Sequence, residues 1–482
     1  AGPVRAMLPW WLARTAAAGL ALALAEPLTV RVVPNGSPAS ADPLVVEADG
    51  WGHLRAQVER HFGKVLQHDP TKEWWITDEN GTALSSWEDL LSRGPSPLVG
   101  AVPSGRLFQW GPRAIGERFP VKISDREGVE IETVSHSPRL FLIHNLMSNE
   151  EAVGLIEQSH ERTGENALTT SGVGFVGGKR NTQSLRTSAS AFDSETPIAK
   201  KVLQRAFEVA RVPHEESFAD GLQILRYKTG QAYISHKDWF PFDSGTDDQN
   251  FNPEEVNGVN RFATVFLYLW SPPSGGYTVF PLATIEPEVK DSPFVSTGRD
   301  TLQHHKAMKL AHKFFNETAW EYALTDKCYT RLAVKPVQLG AALFYHQDPM
   351  TGTLLDAAEH GACPSLTGTK WGANLWIWNA ARHQTSSQAN SRVSAEFLNS
   401  EAMPIDLAWS TDEGNTWVFF GQAAVGNILT ANTFSNHWWR FTEAGTQKEI
   451  RRYVVPEKTP SVRFSSHSSE PISPPDKPHG EL

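Results

Sequence analysis

Tyr233-Ile-Ser-His236-Lys-Asp238 carries a histidine and an aspartate two positions apart. On a strand, residues i and i+2 point to the same face, so an imidazole and a carboxylate here can reach one ion. A lone His-x-Asp is common and reads equally well as a solvated strand end. Far downstream, Glu359-His360-Gly-Ala-Cys363-Pro supplies another imidazole. Two imidazoles and one carboxylate on one face of a metal leave adjacent coordination positions open, the donor set that suits non-haem Fe(II).

Nine residues after His360 begins a strand, Thr369-Lys370-Trp-Gly-Ala-Asn-Leu-Trp-Ile-Trp378. Alternation places Lys370, Asn374, Trp376 and Trp378 on one face and Trp371, Ala373, Leu375 and Ile377 on the other. A lysine buried among aromatics has to be paired. The far carboxylate of a 2-oxoacid cosubstrate would be that partner. A surface lysine on an edge strand is the plainer alternative, which the flanking aromatics disfavour.

Around these residues lies a series of blocks in order. They are Leu185-Arg-Thr-Ser188, Leu222-Gln-Ile-Leu-Arg-Tyr227, Gly230-Gln-Ala-Tyr233 through Asp238, Arg261-Phe-Ala-Thr264-Val-Phe-Leu-Tyr268-Leu, Gly275-Gly-Tyr-Thr278-Val-Phe-Pro281, Val334-Lys-Pro, Gly340-Ala-Ala-Leu-Phe, Glu359 through Pro364, and Lys370 through Ile377. With these, the segment from about 138 to 379 resembles prolyl 4-hydroxylases of the plant and algal type. The resemblance implies an α+β fold whose oxygenase core is a double-stranded β-helix (jelly roll) with flanking helices. It implies catalytic residues His236, Asp238, His360 and Lys370, with Fe(II) on the first three. Tyr227, Thr278 and Lys370 fall where the family holds 2-oxoglutarate. Tyr233, Arg261 and Trp376, with Arg186 of the first block, fall at peptide-binding or site-lining positions. The expected reaction adds a hydroxyl at C4 of peptidyl proline, consuming O2 and 2-oxoglutarate, with L-ascorbate restoring the iron. Cys328 and Cys363 match two cysteines that the family pairs, and segment 169–188 corresponds to its lid over the peptide. Related lysyl hydroxylases and nucleic-acid demethylases typically anchor the cosubstrate with Arg, so Lys370 discriminates. Tyr277 in place of an acid, Ser271-Pro-Pro-Ser in place of an acidic loop, and a long polar insertion at 288–327 depart from the pattern.

Residues 404–456 hold a second set of aromatics, Trp409, Phe419, Phe420, Trp438 and Trp439, with Thr433 and His437. They resemble the β domain of the von Hippel-Lindau tumour suppressor, a small β-sandwich. In that family a Trp, a Tyr, a Ser, a His and a second Trp hold 4-hydroxyproline. The matching positions here are Trp409, Phe420 (or Phe419), Thr433, His437 and Trp439. The Ser-to-Thr change keeps a hydroxyl and the Tyr-to-Phe change loses one. No helical extension follows, so no ubiquitin-ligase adaptor is expected. Sandwich core is the plainer reading of these aromatics.

The remainder of the 482 residues sets the frame. A net charge of −10 without a basic block argues against a nucleic-acid partner. Residues 1–26 contain a short apolar run ending Ala23-Leu-Ala25 and are expected to be a signal peptide. The chain ends His479-Gly-Glu-Leu482, close to an endoplasmic-reticulum retrieval signal. Sequons begin at Asn35, Asn80 and Asn316. These point to the endoplasmic-reticulum lumen. The expected domains are 27–112, a β-grasp-like accessory module; 120–380, the hydroxylase; 381–403, a linker; 404–456, the C-terminal β-sandwich; and 457–482, a disordered tail. Ser148 with Glu151 predicts a capped helix with Val153, Ile156 and His160 on one face. Two other classes stay open: a non-catalytic lumenal binding protein with a structural metal, and a dioxygenase acting on a non-prolyl substrate. The oligomeric state is not legible.

Overall fold

The computed structural model describes residues 27–63, 74–163, 167–171, 175–176, 179–180, 185–214, 218–240, 259–286, 295–296, 301–380, 392–410, 417–434, 437–446, 448–456 and 461–467. The expected signal peptide, most of the lid segment and the chain's last residues lie outside this set. The chain divides into two compact units, one ending at His383 and the other starting at Gln384.

The first unit opens with a four-stranded sheet. Leu28–Pro34 pairs antiparallel with Leu44–Ala48 and parallel with Leu98–Val102, which pairs antiparallel with Trp75–Asp78. The helix Trp51–Val58, extended by a wider turn to Gly63, lays Leu54 and Val58 against Val30, Val32 and Ile76, because the i, i+4 spacing puts them on one stripe. A short helix, Trp87–Leu91, capped by Ser86, was not foreseen. Asn35 is buried at this module's edge. Its amide donates to the carbonyls of Leu107 and Pro349 and accepts from the Gln109 N–H. Of the three sequons, this one is therefore closed to glycosylation, while Asn80 and Asn316 are exposed.

Two antiparallel sheets face each other in the rest of this unit. The larger has nine strands, and its centre is Ala341–Tyr345, Arg261–Trp270, Lys370–Trp378 and Leu222–Tyr227 in that spatial order. The smaller runs Tyr233–His236, His360–Ala362, Thr278–Phe280, Leu332–Val334 and Val295–Ser296. Leu225, Tyr227, Phe266, Tyr268, Phe280, Leu332 and Phe344 fill the space between the sheets. The other face of the large sheet carries Ala263, Val265, Leu267, Trp371, Ala373, Leu375 and Ile377 and packs on the helices Asn149–Glu161 and Pro197–Ala210. Its central strands are thus buried on both faces, which is why they read as long apolar runs. Each fully buried large apolar side chain contributes about 1.5–3 kcal/mol. The arrangement is an α+β oxygenase fold, consistent with a jelly-roll core.

The capping box of the first helix forms as expected, Ser148 and Glu151 satisfying each other's backbone N–H. The expected face is off by one position: Ala152, Leu155 and Ser159 are buried and His160 is exposed. The polar insertion holds two helices, Leu302–Ala311 and Trp320–Thr330, and the second ends with Cys328 bonded to Cys363.

In the second unit, Arg392–Leu398 pairs with Ile428–Phe434 and, in parallel, with Ser461–Ser465. A four-stranded sheet runs Val418–Ala423, Ile405–Ser410, Trp438–Glu443, Glu449–Val454. Phe397 and Phe464 of the first sheet meet Leu407, Trp439, Phe441 and Tyr453 of the second in one core. Two expected boundaries are corrected by this pairing. The supposed linker 381–403 contains a strand, and the supposed disordered tail 457–482 contains its parallel partner. The Ser/Asn-rich and Pro/Ser-rich flanks concealed the short apolar alternations Val393-Ser-Ala-Glu-Phe397 and Val462-Arg-Phe464.

Candidate active site

His236 and His360 sit opposite each other as a cross-strand pair at the mouth of the small sheet. Gly361 allows this approach: a Cβ there would lie 3.1 Å from the Ser235 nitrogen and 3.2 Å from the Tyr233 carbonyl oxygen. Asp238 follows two residues after its strand ends, rather than on it as alternation suggested, and is 4% exposed. The Nε2 atoms of His236 and His360 lie 3.5 and 3.4 Å from the two Asp238 carboxylate oxygens. One ligand atom from each residue falls within 4.8 Å of the others, the only such cluster of three among the described residues.

The donor chemistry fits a metal. His236 Nδ1 is 2.8 Å from the Ile234 carbonyl oxygen, and His360 Nδ1 is 3.1 Å from that of Ala358. Each Nδ1–H donates to a carbonyl, which fixes the tautomer and leaves the Nε2 lone pair facing the carboxylate. Burial pushes the His360 pKa down to about 4, so it is a neutral ligand. Burial alone would raise Asp238, but His360 and His236 beside it hold it well below the usual carboxylate range. The three residues therefore offer two imidazole Nε2 atoms and one carboxylate.

Lys370 is the second element. Its side chain is fully buried, and Nζ has no hydrogen-bond partner among the described residues. It lies over the rings of Phe266, Tyr268 and Tyr227 at 4.7, 5.5 and 5.6 Å. Gly276, at a positive φ, passes against its stem: a Cβ there would be 3.3 Å from Lys370 Cδ. Burial lowers the Lys370 pKa to about 7. A buried amine without a partner is destabilising unless something anionic meets it. Thr278, buried in the facing small sheet, is linked through its hydroxyl to Tyr268 Oη at 3.0 Å. Tyr227 is buried on the same side, and burial raises its pKa.

The expected substrate residues are brought together in two stacks. Tyr233 lies on the His236 ring with 3.8 Å between centroids, and the Arg186 guanidinium covers Tyr233 at 4.6 Å. Arg186 also donates to Ser188 and Gln223, and Gln223 accepts from Asn374. Across the site, Arg261 lies 3.9 Å over Trp376, pairs with Asp220 at 3.1 Å and donates to the Asp238 carbonyl. Trp376 Nε1 is buried and has no hydrogen-bond partner among the described residues.

Sequence reasoning missed the residues behind the carboxylate. Thr264 donates to Asp238 Oδ2 at 2.6 Å, and His346 Nε2 is 2.7 Å from the same hydroxyl. His346 is fully buried, and burial pushes its pKa down to about 3. Thr264 was detectable in principle, since alternation along Arg261–Trp270 puts Thr264, Phe266 and Tyr268 on one face. His346 follows the end of its strand and gave no periodic signal.

Residues 222–378, which contain the triad and Lys370, match the model of the 2OG-Fe(II) oxygenase superfamily. This segment is a 2-oxoglutarate- and Fe(II)-dependent oxygenase domain. The chain is similar to the Arabidopsis thaliana proteins described as probable prolyl 4-hydroxylase 3 (29% identical over 248 residues, 51% of this chain and 71% of that protein) and prolyl 4-hydroxylase 5 (28% over 250 residues, 51% and 70%). A solved structure, the viral collagen prolyl hydroxylase of Paramecium Bursaria Chlorella virus-1, aligns at 19% identity and a TM-score of 0.30, covering 50% of this chain and 95% of that one. The similarities support an oxygenase of the prolyl 4-hydroxylase type.

The C-terminal candidates also converge. The Trp409 and His437 rings stack at 5.5 Å. Thr433 Oγ1 is 3.2 Å from His437 Nδ1 and accepts from Trp439 Nε1 at 3.0 Å. Phe420, 41% exposed, meets Trp439 edge-on at 5.1 Å.

Proposed function

We propose that the chain hydroxylates C4 of proline residues in proteins of the secretory pathway, with L-ascorbate as reductant, and that its C-terminal unit binds the hydroxyproline product. The observation that carries the hydroxylase reading is the buried Lys370 amine, without a hydrogen-bond partner among the described residues, in the same fold as a His/Asp/His donor set. A purely structural metal site would have no use for it.

His236, Asp238 and His360 would hold Fe(II) on one face, and Lys370 with Thr278 and Tyr227 would hold the far carboxylate of 2-oxoglutarate. When bound, iron and 2-oxoglutarate supply O2 activation: one oxygen atom oxidises 2-oxoglutarate to succinate and CO2, and the other goes to the substrate C–H. The protein's part is placement and exclusion of water. Asp238 and His360 are nearly buried while His236 is more open, so the peptide approaches from the His236 side. There the Arg186–Tyr233 stack and the Arg261–Trp376 stack are the walls, and the Trp376 N–H, without a partner among the described residues, would donate to a peptide carbonyl. The test is mass spectrometry of proline-rich peptides with Fe(II), 2-oxoglutarate and ascorbate. A one-oxygen gain on proline, lost in His236→Ala, is expected; succinate formed without peptide oxidation would refute the prolyl substrate.

For the C-terminal unit, the support is the buried Thr433–His437 pair between Trp409 and Trp439, polar groups set in an aromatic frame. A tethered reader would raise the local concentration of a modified peptide's remaining prolines at the iron. The full chain should bind a hydroxyproline peptide at least about ten-fold more tightly than its proline twin, and His437→Ala should abolish the difference. Equal binding of the two peptides would end this reading. For the lumenal address, a chain expressed with its own N terminus should gain endoglycosidase-sensitive mass through Asn80 or Asn316; retention in the cytosol would contradict it.

A further inference from the structure

The metal-binding carboxylate is held from behind by a hydrogen-bond relay that ends on a histidine outside the ligand set. Asp238 Oδ2 receives the Thr264 hydroxyl at 2.6 Å, and that hydroxyl is 2.7 Å from His346 Nε2. An ionised carboxylate only accepts, so the single hydroxyl proton of Thr264 goes to Asp238. The second contact then has one possible direction: His346 Nε2–H donates to Thr264 Oγ1. His346 Nδ1 is buried and has no hydrogen-bond partner among the described residues, and the ring meets Phe344 in a T-shaped pair at 5.4 Å. The direct distance from His346 Nε2 to Asp238 Oδ2 is 4.0 Å, so the imidazole acts through the threonine rather than on the carboxylate.

The three residues come from different places. Asp238 follows the strand Tyr233–His236, Thr264 lies in the central strand Arg261–Trp270, and His346 follows Ala341–Tyr345, its N–H bonded to the Phe262 carbonyl. The relay therefore ties the metal ligand of the small sheet to two central strands of the large one. All three side chains are almost wholly buried, so no solvent competes for the contacts.

We propose that His346 and Thr264 are positioning residues for the metal: together they occupy Asp238 Oδ2, which lies 3.4 Å from His360 Nε2, and aim the carboxylate so that Oδ1, 3.5 Å from His236 Nε2, serves as the single-point ligand. A carboxylate bound through both oxygens would take up one of the positions needed for cosubstrate and O2, so the relay keeps the metal face open. This rests on the triad being the metal site.

The test reads metal affinity in the full-length protein without 2-oxoglutarate, using Co(II) as a spectroscopic probe in competition with a chelator. Thr264→Val, nearly isosteric, should weaken Co(II) binding by about ten-fold and alter its visible spectrum, whereas Thr264→Ser, which keeps the hydroxyl, should stay within about two-fold of wild type. His346→Phe should weaken it similarly, and the Thr264→Val/His346→Phe double variant should be no worse than Thr264→Val. Thermal melts separate folding loss from site loss, because Thr264→Ser must restore both spectrum and affinity. Unchanged affinity and spectrum in Thr264→Val, or a double variant whose losses multiply, would overturn the relay while leaving the triad intact. A wild-type protein that takes up no Co(II), or takes it up equally in His360→Ala, would overturn the metal site itself.

Discussion

At the scale of single residues, Lys370 sets the most direct expectations. Removing one partner of a buried charge pair costs about 2–5 kcal/mol, so Lys370→Met should weaken 2-oxoglutarate binding by about 100-fold in a calorimetric titration, while Co(II) binding stays near wild type. The pKa adds a pH dependence. Burial takes Lys370 from its ordinary 10.5 to about 7 in the free protein. Between these values the unfolded chain binds more protons than the folded one, so the free protein gains stability as pH rises from about 7 to 10 and loses that gain below. Cosubstrate affinity runs the other way. It is full below pH 7 and falls by up to about ten-fold per pH unit above it, and Lys370→Met should flatten both profiles. The lysine was legible in the sequence because its alternation partners Trp376 and Trp378 marked the strand as buried. His236, Asp238 and His360 were legible from the His-x-Asp spacing together with the family resemblance of the blocks around them, although Asp238 falls just past the strand end. The inward face of Thr264 was legible from strand alternation but its partner was not, and His346 was not legible at all, because a hydrogen bond between side chains from separate strands leaves no pattern along the chain.

At the scale of elements, Glu151 does two jobs: it closes the capping box and, with Asp125, holds the buried Arg205. The Glu151 carboxyl is at about 2; burial opposes this, but the Arg205 guanidinium and the Ser148 N–H outweigh it. Its folded value lies below the ordinary 4.5, so its stabilisation is full above pH 4.5 and is lost as pH falls toward 2. Arg205→Met should lower stability by about 3 kcal/mol in urea unfolding, since two carboxylates lose their buried partner and keep only the exposed Lys201, and should partly flatten this acid limb. Replacing Cys328 and Cys363 together by serine should lower stability by about 2–4 kcal/mol, with reductant reproducing the shift in wild type. The cap was legible because Ser-x-x-Glu is a local rule. The buried face was misplaced by one residue because Val153 and Ile156 looked as apolar as Ala152 and Leu155. Which of them points inward is decided by the sheet beneath.

At the scale of the whole molecule, the strand Ser461–Ser465 belongs to the second unit, so chain ends on either side of it should behave differently. A chain ending after Pro456 loses Phe464 from the core and should lose the second unit's cooperative unfolding transition in calorimetry, while one ending after His467 should keep it. Hydroxylation by the first unit should survive both, because the metal-ligand candidates and Lys370 lie before His383. The oxygenase core was legible because its strands are long, apolar and anchored by the ligand motif. The flanking strands of the second unit were not, because their short alternations sit in Ser-, Asn- and Pro-rich sequence that reads as linker and tail. The central claim is that one buried lysine and one His/Asp/His face make this chain a 2-oxoglutarate-dependent prolyl hydroxylase. Its most direct test is the mass of a proline-rich peptide after incubation with purified protein, Fe(II), 2-oxoglutarate and ascorbate, with succinate measured alongside. The account predicts one added oxygen per turnover on proline, equal succinate, and loss of both in His360→Ala. Metal-bound protein that yields neither product with any proline-rich peptide, or yields both undiminished in His360→Ala, would contradict it.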